Sequence, residues 1–168
     1  YTLCQETNNY ILEAVARHPR RLVGFCSLNP AWGERALAEM ERCARGGAVG
    51  LGELRPDVQG FDPGDRALLE PLVATARRYR LLLHFHTSEP VGHSYAGKGA
   101  VTPEVIFRFI SLFPDQPVVC AHWGGGLPFY ALMPEVSAAL KNTYFDSAAT
   151  PFLYRPQVFR QVIDLVGV

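Results

Sequence analysis

Apolar positions along the chain follow two alternating patterns: short continuous runs, and a spacing of three to four residues. The continuous runs cover residues 22–28, 48–54, 81–86, 118–122 and 143–147. The helical spacing covers residues 6–17, 32–45, 129–141 and 156–166, and two further segments that begin after Asp65 and Thr102. Short apolar runs that alternate with helices predict a parallel sheet. We therefore expect an α/β fold with about five consecutive strand–helix units, in a single domain that covers residues 1–168.

Polar residues mark two of the predicted helix starts. Asp65 precedes a helical stripe of leucine, valine and alanine, and Thr102 precedes Pro103 and a second stripe. A side-chain oxygen at such a position accepts a hydrogen bond from a free N–H of the first turn, and proline is favoured at the first helical position. We therefore expect both side chains to cap their helices.

Two architectures fit this alternation of strands and helices. A doubly wound sheet of five strands would be complete in itself, whereas a (β/α)8 barrel needs about 250 residues. Polar residues follow nearly every predicted strand, which favours the barrel because its active site draws on many strand ends. Periodicity alone leaves both architectures open.

Histidines and acidic residues follow several of the predicted strands. His86 and His122 each end an apolar strand, and only one loop and one helix separate the two strands. Parallel strands place metal ligands and proton-transfer groups at their carboxyl ends. Because alternate residues share a face, we expect Glu53, His86 and His122 to converge at one mouth, with Asp146 near another strand end. Imidazoles and carboxylates in this arrangement suit a divalent metal such as zinc.

Each of these residues also has a structural interpretation. His84 lies one pleat deeper than His86 and is either a third histidine ligand or a hydrogen-bonded structural residue. Glu53 is either catalytic or paired with Arg55. Asp146 either takes part in catalysis or holds neighbouring loops in place.

The loop 87–101 and the glycines at 124–126 are the irregular segments with functional interest. The loop is long enough to form a substrate lid, although we interpret its His93 as a solvated surface residue. The three glycines follow a strand, which suits a phosphate cradle, but they lack the spacing of the known phosphate-binding motifs. Close backbone approach at a crowded site is the interpretation we favour for them.

Composition narrows the choice of partners. Sixteen basic and sixteen acidic side chains give a formal net charge of zero, which argues against nucleic acid or an anionic membrane as partner. No apolar run approaches the roughly 20 residues of a membrane-spanning helix. The four cysteines are widely spaced and are interpreted as reduced thiols, which favours the cytoplasm. We expect a small-molecule substrate, and a full-length enzyme that can form a homo-oligomer.

Four stretches of the chain resemble the amidohydrolase-related family of metal-dependent (β/α)8 barrels. They are residues 52–56 with 59–61, 86–90, 121–125 and 144–149, and they occur in the family's order. The resemblance implies that His86 is a metal ligand and that His122 is a second ligand or the catalytic acid/base. It also implies a supportive role for Asp146 and a bridging or substrate-contacting position for Glu53.

The resemblance also implies that family elements are missing at both ends. The opening HxH pair of the family does not occur before residue 84, and the chain stops where the strand with a Gly-Ser-Asp motif should begin. We therefore expect a partial (β/α)8 barrel without the first and last strands. In this interpretation the chain is the central part of a longer enzyme, and alone it should be inactive and bind metal poorly.

The leading functional hypothesis is a metal-dependent hydrolase in which a divalent metal, expected to be zinc, activates water. A decarboxylase on the same scaffold is the nearest alternative. A non-catalytic α/β module, in which both histidines are buried and hydrogen-bonded, is the alternative from a different class.

Overall fold

Five short strands alternate with helices in the computed structural model, which describes residues 1–168. The strands are β1 (Gly24–Cys26), β2 (Ala48–Leu54), β3 (Leu82–Phe85), β4 (Val118–Cys120) and β5 (Thr143–Phe145). They form one sheet in the order β1-β2-β3-β4-β5. Doubly wound sheets reverse their strand order at a switch point, and this sheet does not. The predicted α/β class and the run of five consecutive strand–helix units are confirmed.

Nine helical segments connect or flank the strands. They are α1 (Thr2–Arg17), α2 (Glu34–Arg45), α3 (Pro56–Gln59), α4 (Arg66–Tyr79), α5 (Pro103–Leu112), α6 (Ala121–Gly124), α7 (Pro134–Ala139), α8 (Thr150–Leu153) and α9 (Gln157–Val166), with 3₁₀ turns at Pro30–Trp32, Leu127–Leu132 and Leu140–Asn142. The single helix predicted for 129–141 is wrong: a 3₁₀ turn ends there and α7 begins at Pro134. Proline has no N–H to continue a helix but fits the first position of a new one. No helix combines the length and apolar character needed to cross a membrane.

The chain folds as two compact units, Tyr1–His84 and Phe85–Val168. In the first unit β1 and β2 pair in parallel, with Phe25 opposite Gly50. Glycines allow this close approach: a Cβ on Gly50 would lie 2.6 Å from Phe25 Cδ1, and one on Gly52 would lie 2.7 Å from the Cβ of His84. Glycine in β2 therefore reflects the tight packing of neighbouring strands.

Helices α2 and α4 contribute most of the helical core of the first unit. Their fully buried apolar residues are Ala36, Met40 and Cys43 on α2, and Leu69, Leu72, Val73 and Ala76 on α4. The Asp65 carboxylate accepts a hydrogen bond from Leu68 N at 3.0 Å, so the predicted cap of α4 is confirmed.

A buried carboxylate lies on the inner side of α2. Glu39 is 1% exposed, and its oxygens accept hydrogen bonds from Arg42 Nη2 (2.6 Å) and Nε (2.9 Å), Asn8 Nδ2 (2.8 Å) and Gln5 Nε2 (3.1 Å). Burial raises the pKa of Glu39, but the bonds from Arg42, Asn8 and Gln5 outweigh it and lower this pKa to about 2. Glu39 is therefore an ionised core residue that joins α1 to α2.

In the second unit β4 and β5 pair in parallel, with Cys120 opposite Phe145. Trp123 packs with Val158 and Val162 of α9 in a separate apolar cluster. The predicted capping role of Thr102 is wrong: it is the residue before α5, but its side chain makes no capping hydrogen bond.

Candidate active site

His122 stands just past the end of β4, on a left-handed turn. It begins a run of five residues with positive φ, from 54° at His122 to 97° at Gly126. Non-glycine residues adopt this conformation at a cost of about 1–3 kcal/mol each and persist in it only where surrounding contacts hold them. Here Trp123 also has positive φ, and its indole Nε1 donates to Thr150 Oγ1 at 2.9 Å. The turn is therefore anchored directly beside the imidazole.

Asp146 holds this turn from the end of β5. Its Oδ1 accepts hydrogen bonds from the backbone N–H groups of His122 (3.0 Å) and Ala148 (2.9 Å). The backbone of Asp146 also bonds to the β4 side, with Trp123 N donating to its carbonyl at 2.9 Å. These contacts give Asp146 a positioning role.

The imidazole of His122 is fixed by a backbone carbonyl. Its Nδ1 lies 3.0 Å from the carbonyl oxygen of Ala148. Because a carbonyl oxygen only accepts, this bond places a proton on Nδ1, and Nε2 is the ring nitrogen outside this bond. Histidine ligands of metals typically use their other nitrogen in this way.

His86 has an analogous arrangement at the end of β3. Its Nε2 lies 3.0 Å from the carbonyl oxygen of Gly97, and because a carbonyl oxygen only accepts, Nε2 carries a proton in this bond. The side chain is buried, with 6% of the residue exposed. Its ring meets that of His122 edge to face, with centroids 5.0 Å apart, and a ring nitrogen of each lies within 4.8 Å of one on the other. The predicted proximity of these two histidines is confirmed.

The two imidazoles form part of the wall of a cavity of about 440 Å³. The cavity is lined by His86, His93, Tyr95, Ala96, Gly97, His122, Ala149, Phe152 and Leu153. This volume falls in the range of small-molecule sites, about 300–1,000 Å³. Apart from the three imidazoles and one phenol, its side chains are apolar, and none is acidic.

The loop 87–101 folds back onto His86. Its ends are tied by Ser88, whose N–H donates to the carbonyl of Val101 at 2.9 Å and whose Oγ accepts from Gly99 N at 2.8 Å. The same hydroxyl lies 3.4 Å from His86 Nε2. The loop therefore forms one wall of the cavity, as the lid interpretation predicts.

Two of the three glycines at 124–126, Gly124 and Gly125, serve close packing. A Cβ on Gly125 would collide with the backbone carbonyl of Ser88, and one on Gly124 would lie 2.7 Å from Cε1 of Phe145. A carbonyl oxygen at this point repels phosphate. The close-approach interpretation is therefore confirmed, and a phosphate cradle does not fit.

Two other predicted site residues, Glu53 and His84, belong to the first unit. Glu53 is exposed near the end of β2, and the loop that follows is held by Gln59, whose Oε1 accepts from Arg55 N at 2.8 Å. Arg55 forms an ion pair with Asp57 at 3.4 Å. His84 is half-buried, and its ring meets that of Phe25 at a centroid distance of 5.9 Å. The assignments of Glu53 and His84 stay predictions.

The structure thus brings together His86, His122 and Asp146 in the second unit. It adds His93, Tyr95 and Phe152, which the sequence did not identify as site residues. The available signal was the length of loop 87–101, which indicated a lid without indicating which side chains it turns inward.

Comparison with known proteins places these residues in a family. The family model described as amidohydrolase matches residues 1–168. A solved protein of Staphylococcus aureus, provisionally assigned as an amidohydrolase, is 25% identical with a TM-score of 0.71, and the match covers 99% of this chain and 65% of that one.

Two further solved structures share the fold at lower identity. A 5-carboxyvanillate decarboxylase of Novosphingobium aromaticivorans, solved with manganese and 3-methoxy-4-hydroxy-5-nitrobenzoic acid, is 17% identical with a TM-score of 0.76, over 99% of this chain and 58% of that one. A TIM-barrel protein of Bordetella bronchiseptica is 20% identical with a TM-score of 0.65, over 91% of this chain and 53% of that one. Other decarboxylases also match.

The chain thus spans less than two thirds of the length of these solved structures. Its five-stranded sheet corresponds to part of a TIM barrel, which confirms the partial-barrel prediction. Because the family model covers the whole chain, this protein belongs to the amidohydrolase family.

Proposed function

We propose that the full-length protein is a metal-dependent enzyme that decarboxylates a small organic acid. The observation that carries this proposal is the pair formed by His86 and His122, each with one ring nitrogen bonded to a backbone carbonyl, in the wall of a largely apolar cavity. Two imidazoles in this arrangement offer nitrogen ligands to a metal, and the cavity accepts the apolar body of an acid.

The donor set fits a divalent metal. The nitrogens of the two rings approach within 4.8 Å, and the bonds to Gly97 and Ala148 orient the rings as carbonyl partners of metal ligands do. A bound divalent metal would neutralise the charge of a substrate oxygen at this position. Zinc is our prediction from the imidazole ligands, and manganese is the alternative suggested by the decarboxylase relative.

The cavity walls favour loss of carbon dioxide. In decarboxylation the bond between the carboxyl carbon and the substrate breaks, its electron pair stays on the substrate carbon, and that carbon then takes a proton. The charge of the carboxylate is dispersed during this step, so an environment that excludes water assists it. Phe152, Leu153 and Tyr95 provide apolar surface around the carboxylate, and the proton comes from solvent at the exposed loop side of the cavity.

The test uses the full-length protein loaded with Mn²⁺ or Zn²⁺ and a panel of aromatic acids labelled with ¹³C in the carboxyl group. We expect labelled carbon dioxide from at least one acid, no turnover after treatment with EDTA, and recovery when metal is added back. Metal content measured on the purified protein provides a readout independent of turnover. Loss of carbon dioxide that is indifferent to EDTA, or a protein that retains no metal, would contradict the proposal.

Hydrolysis, the reaction predicted from the sequence, is the second candidate. It is favoured by the exposure of His93, Ala96 and Gly97, which leaves the loop side of the cavity open to water. The two reactions differ in the fate of solvent oxygen. Incorporation of ¹⁸O from labelled water into a product, without release of carbon dioxide, would identify the hydrolase.

A third protein ligand to the metal is also part of this proposal. Two histidines are fewer than the three protein ligands typical of a catalytic zinc, and we propose Glu53 and His84 as candidates for the third. Metal content of Glu53→Gln and His84→Asn tests each one. A ligand should lower the bound metal well below that of the parent protein, and a structural residue should leave it unchanged.

A further inference from the structure

The third histidine at the cavity differs from the other two in how its ring is used. His86 and His122 each commit one nitrogen to a backbone carbonyl. The ring of His93 lies against that of Tyr95, with centroids 5.6 Å apart and planes at 54°. The two rings are tilted, and neither ring nitrogen of His93 makes a hydrogen bond within the chain, so both are available for a ligand.

His93 is also held in position by its own loop. The ammonium of Lys98 donates to the carbonyl oxygens of Val91 (2.9 Å) and His93 (3.3 Å) and lies 5.8 Å from the ring centre of Tyr95. A lysine that bridges two carbonyls and an aromatic ring fixes the backbone on either side of the imidazole. His93 is therefore exposed without being a freely moving surface residue.

Tyr95 connects the His93 ring to the base of loop 87–101. Its hydroxyl donates to Glu89 Oε2 at 3.0 Å. Burial, followed by the bond to Glu89, raises the pKa of Tyr95, so the phenol remains a neutral donor and its ring remains an apolar support for His93. The loop thus places an imidazole with two available nitrogens at a cavity that has no acidic lining.

We infer that His93 is a specificity residue, which binds a second oxygen-bearing group of the substrate. This inference rests on the proposed function, in which the acid to be cleaved lies at the His86–His122 pair. The ligand class is then a flat acid with two oxygen-bearing substituents, such as an aromatic dicarboxylate. A hydrogen bond between an imidazole and a charged oxygen contributes enough to change affinity by about tenfold or more.

The experiment compares His93→Phe with the parent enzyme in full-length, metal-loaded form. Phenylalanine keeps a ring against Tyr95 but removes both nitrogens. The probes are isophthalate, with two carboxylates, and benzoate, with one, and their dissociation constants are measured by calorimetry. We expect isophthalate to bind about tenfold more weakly to the variant, benzoate to change by less than about threefold, and His93→Gln to recover part of the loss.

A matched control is Ser94→Ala, an exposed neighbour on the same loop, which should alter neither constant. On a turnover substrate with two acidic groups, His93→Phe should raise KM with little change in kcat. If His93→Phe binds both probes as the parent does, the inference is wrong while the metal content still supports the proposed function. If the parent enzyme holds metal but binds neither probe, the assigned ligand class is wrong. If it holds no metal, the proposed function and the inference fail together.

Discussion

The two units of the chain each contain a group of polar side chains close to apolar packing, and the two groups differ in whether their side chains line a cavity. In the first unit Glu39 accepts five hydrogen bonds, from Arg42, Asn8, Gln5 and Cys43. In the second unit His86 and His122 each bond to a backbone carbonyl through one ring nitrogen, and both imidazoles line a cavity.

This difference separates a structural group from a chemical one. A buried carboxylate whose oxygens are saturated with donors stabilises the fold and has nothing to offer a ligand. An imidazole held by one nitrogen is oriented for chemistry at the other. Removing the two groups should therefore have opposite consequences, with loss of stability in one case and loss of metal and activity in the other.

The largest effect is expected from replacing both His86 and His122 by asparagine in the full-length enzyme. Activity should fall by far more than about 100-fold, because loss of outer-shell partners of metal ligands alone costs roughly 10–100-fold. Metal content should fall in parallel, while thermal unfolding stays cooperative. Turnover and elemental analysis on the same preparation are the measurements.

The control for this pair is His18→Asn, which changes an exposed histidine that follows α1. It should leave both activity and metal content at the parent level. A double variant that unfolds more easily but keeps its metal would place His86 and His122 with Glu39, as structural residues.

The second effect is on stability and concerns Glu39→Gln. Glutamine keeps one carbonyl acceptor but loses the charge, and since hydrogen bonds to charged groups contribute about 1.5–3 kcal/mol each, we expect the free energy of unfolding to fall by about 3 kcal/mol. Glu41→Gln on the same helix is the matched control, since Glu41 is only partly buried and pairs with Arg45 and Arg78 near the surface. That change should cost less than about 1 kcal/mol, and urea unfolding compares the two.

The lowered pKa of Glu39 predicts that the stability difference between the parent protein and Glu39→Gln depends on pH. In the folded protein this pKa is lowered to about 2, whereas an unfolded glutamate titrates near 4.3. The stabilisation by Glu39 is therefore complete above the unfolded value and is lost as pH falls from there towards about 2. Urea midpoints measured between pH 6 and pH 3 should fall more steeply for the parent protein than for Glu39→Gln, and equal slopes would contradict the prediction.

A third effect concerns the turn beneath His122. Gly125→Ala places a Cβ against the backbone of Ser88 at positive φ, so we expect a loss of about 2–4 kcal/mol, of which strain in the left-handed conformation accounts for roughly 1–2. Gly126→Ala is the control, because its Cβ would meet no atom closer than 3.8 Å. It should show the strain alone, about 1 kcal/mol. Equal losses for the two variants would show that close packing at Gly125 is unimportant.

Patterns within short stretches of the sequence predicted most of the strands and helices. The strand at 48–54 has the observed bounds of β2, and the positions of His86 and His122 at strand ends predicted their proximity. These predictions succeeded because periodicity and strand order depend on short stretches of chain. A break in the predicted helix 129–141 could have been read from Pro134.

What the sequence did not predict depends on contacts between distant residues. Glu39 lies on α2 next to Met40, and a charged residue on a helix is normally solvated. Its burial depends in part on Asn8 and Gln5, which donate to it from α1. The exposure of His93 was predicted correctly, but nothing in its own stretch indicates that Lys98 donates a hydrogen bond to its carbonyl. The left-handed conformation of His122 likewise depends on Asp146, 24 residues away in the chain.

The smallest expected effect is at the starts of two helices, one in each unit, for which the sequence predicts the same kind of cap. Asp65 accepts a bond from Leu68 N, whereas the side chain of Thr102 makes no such bond at the start of α5. Asp65→Ala should therefore cost about 1 kcal/mol, the typical value for a lost cap, and Thr102→Ala should cost less than about 0.5 kcal/mol, as for an ordinary surface change. Urea unfolding with paired replicates can resolve this difference. A Thr102→Ala loss as large as that of Asp65→Ala would mean that Thr102 caps α5 in solution.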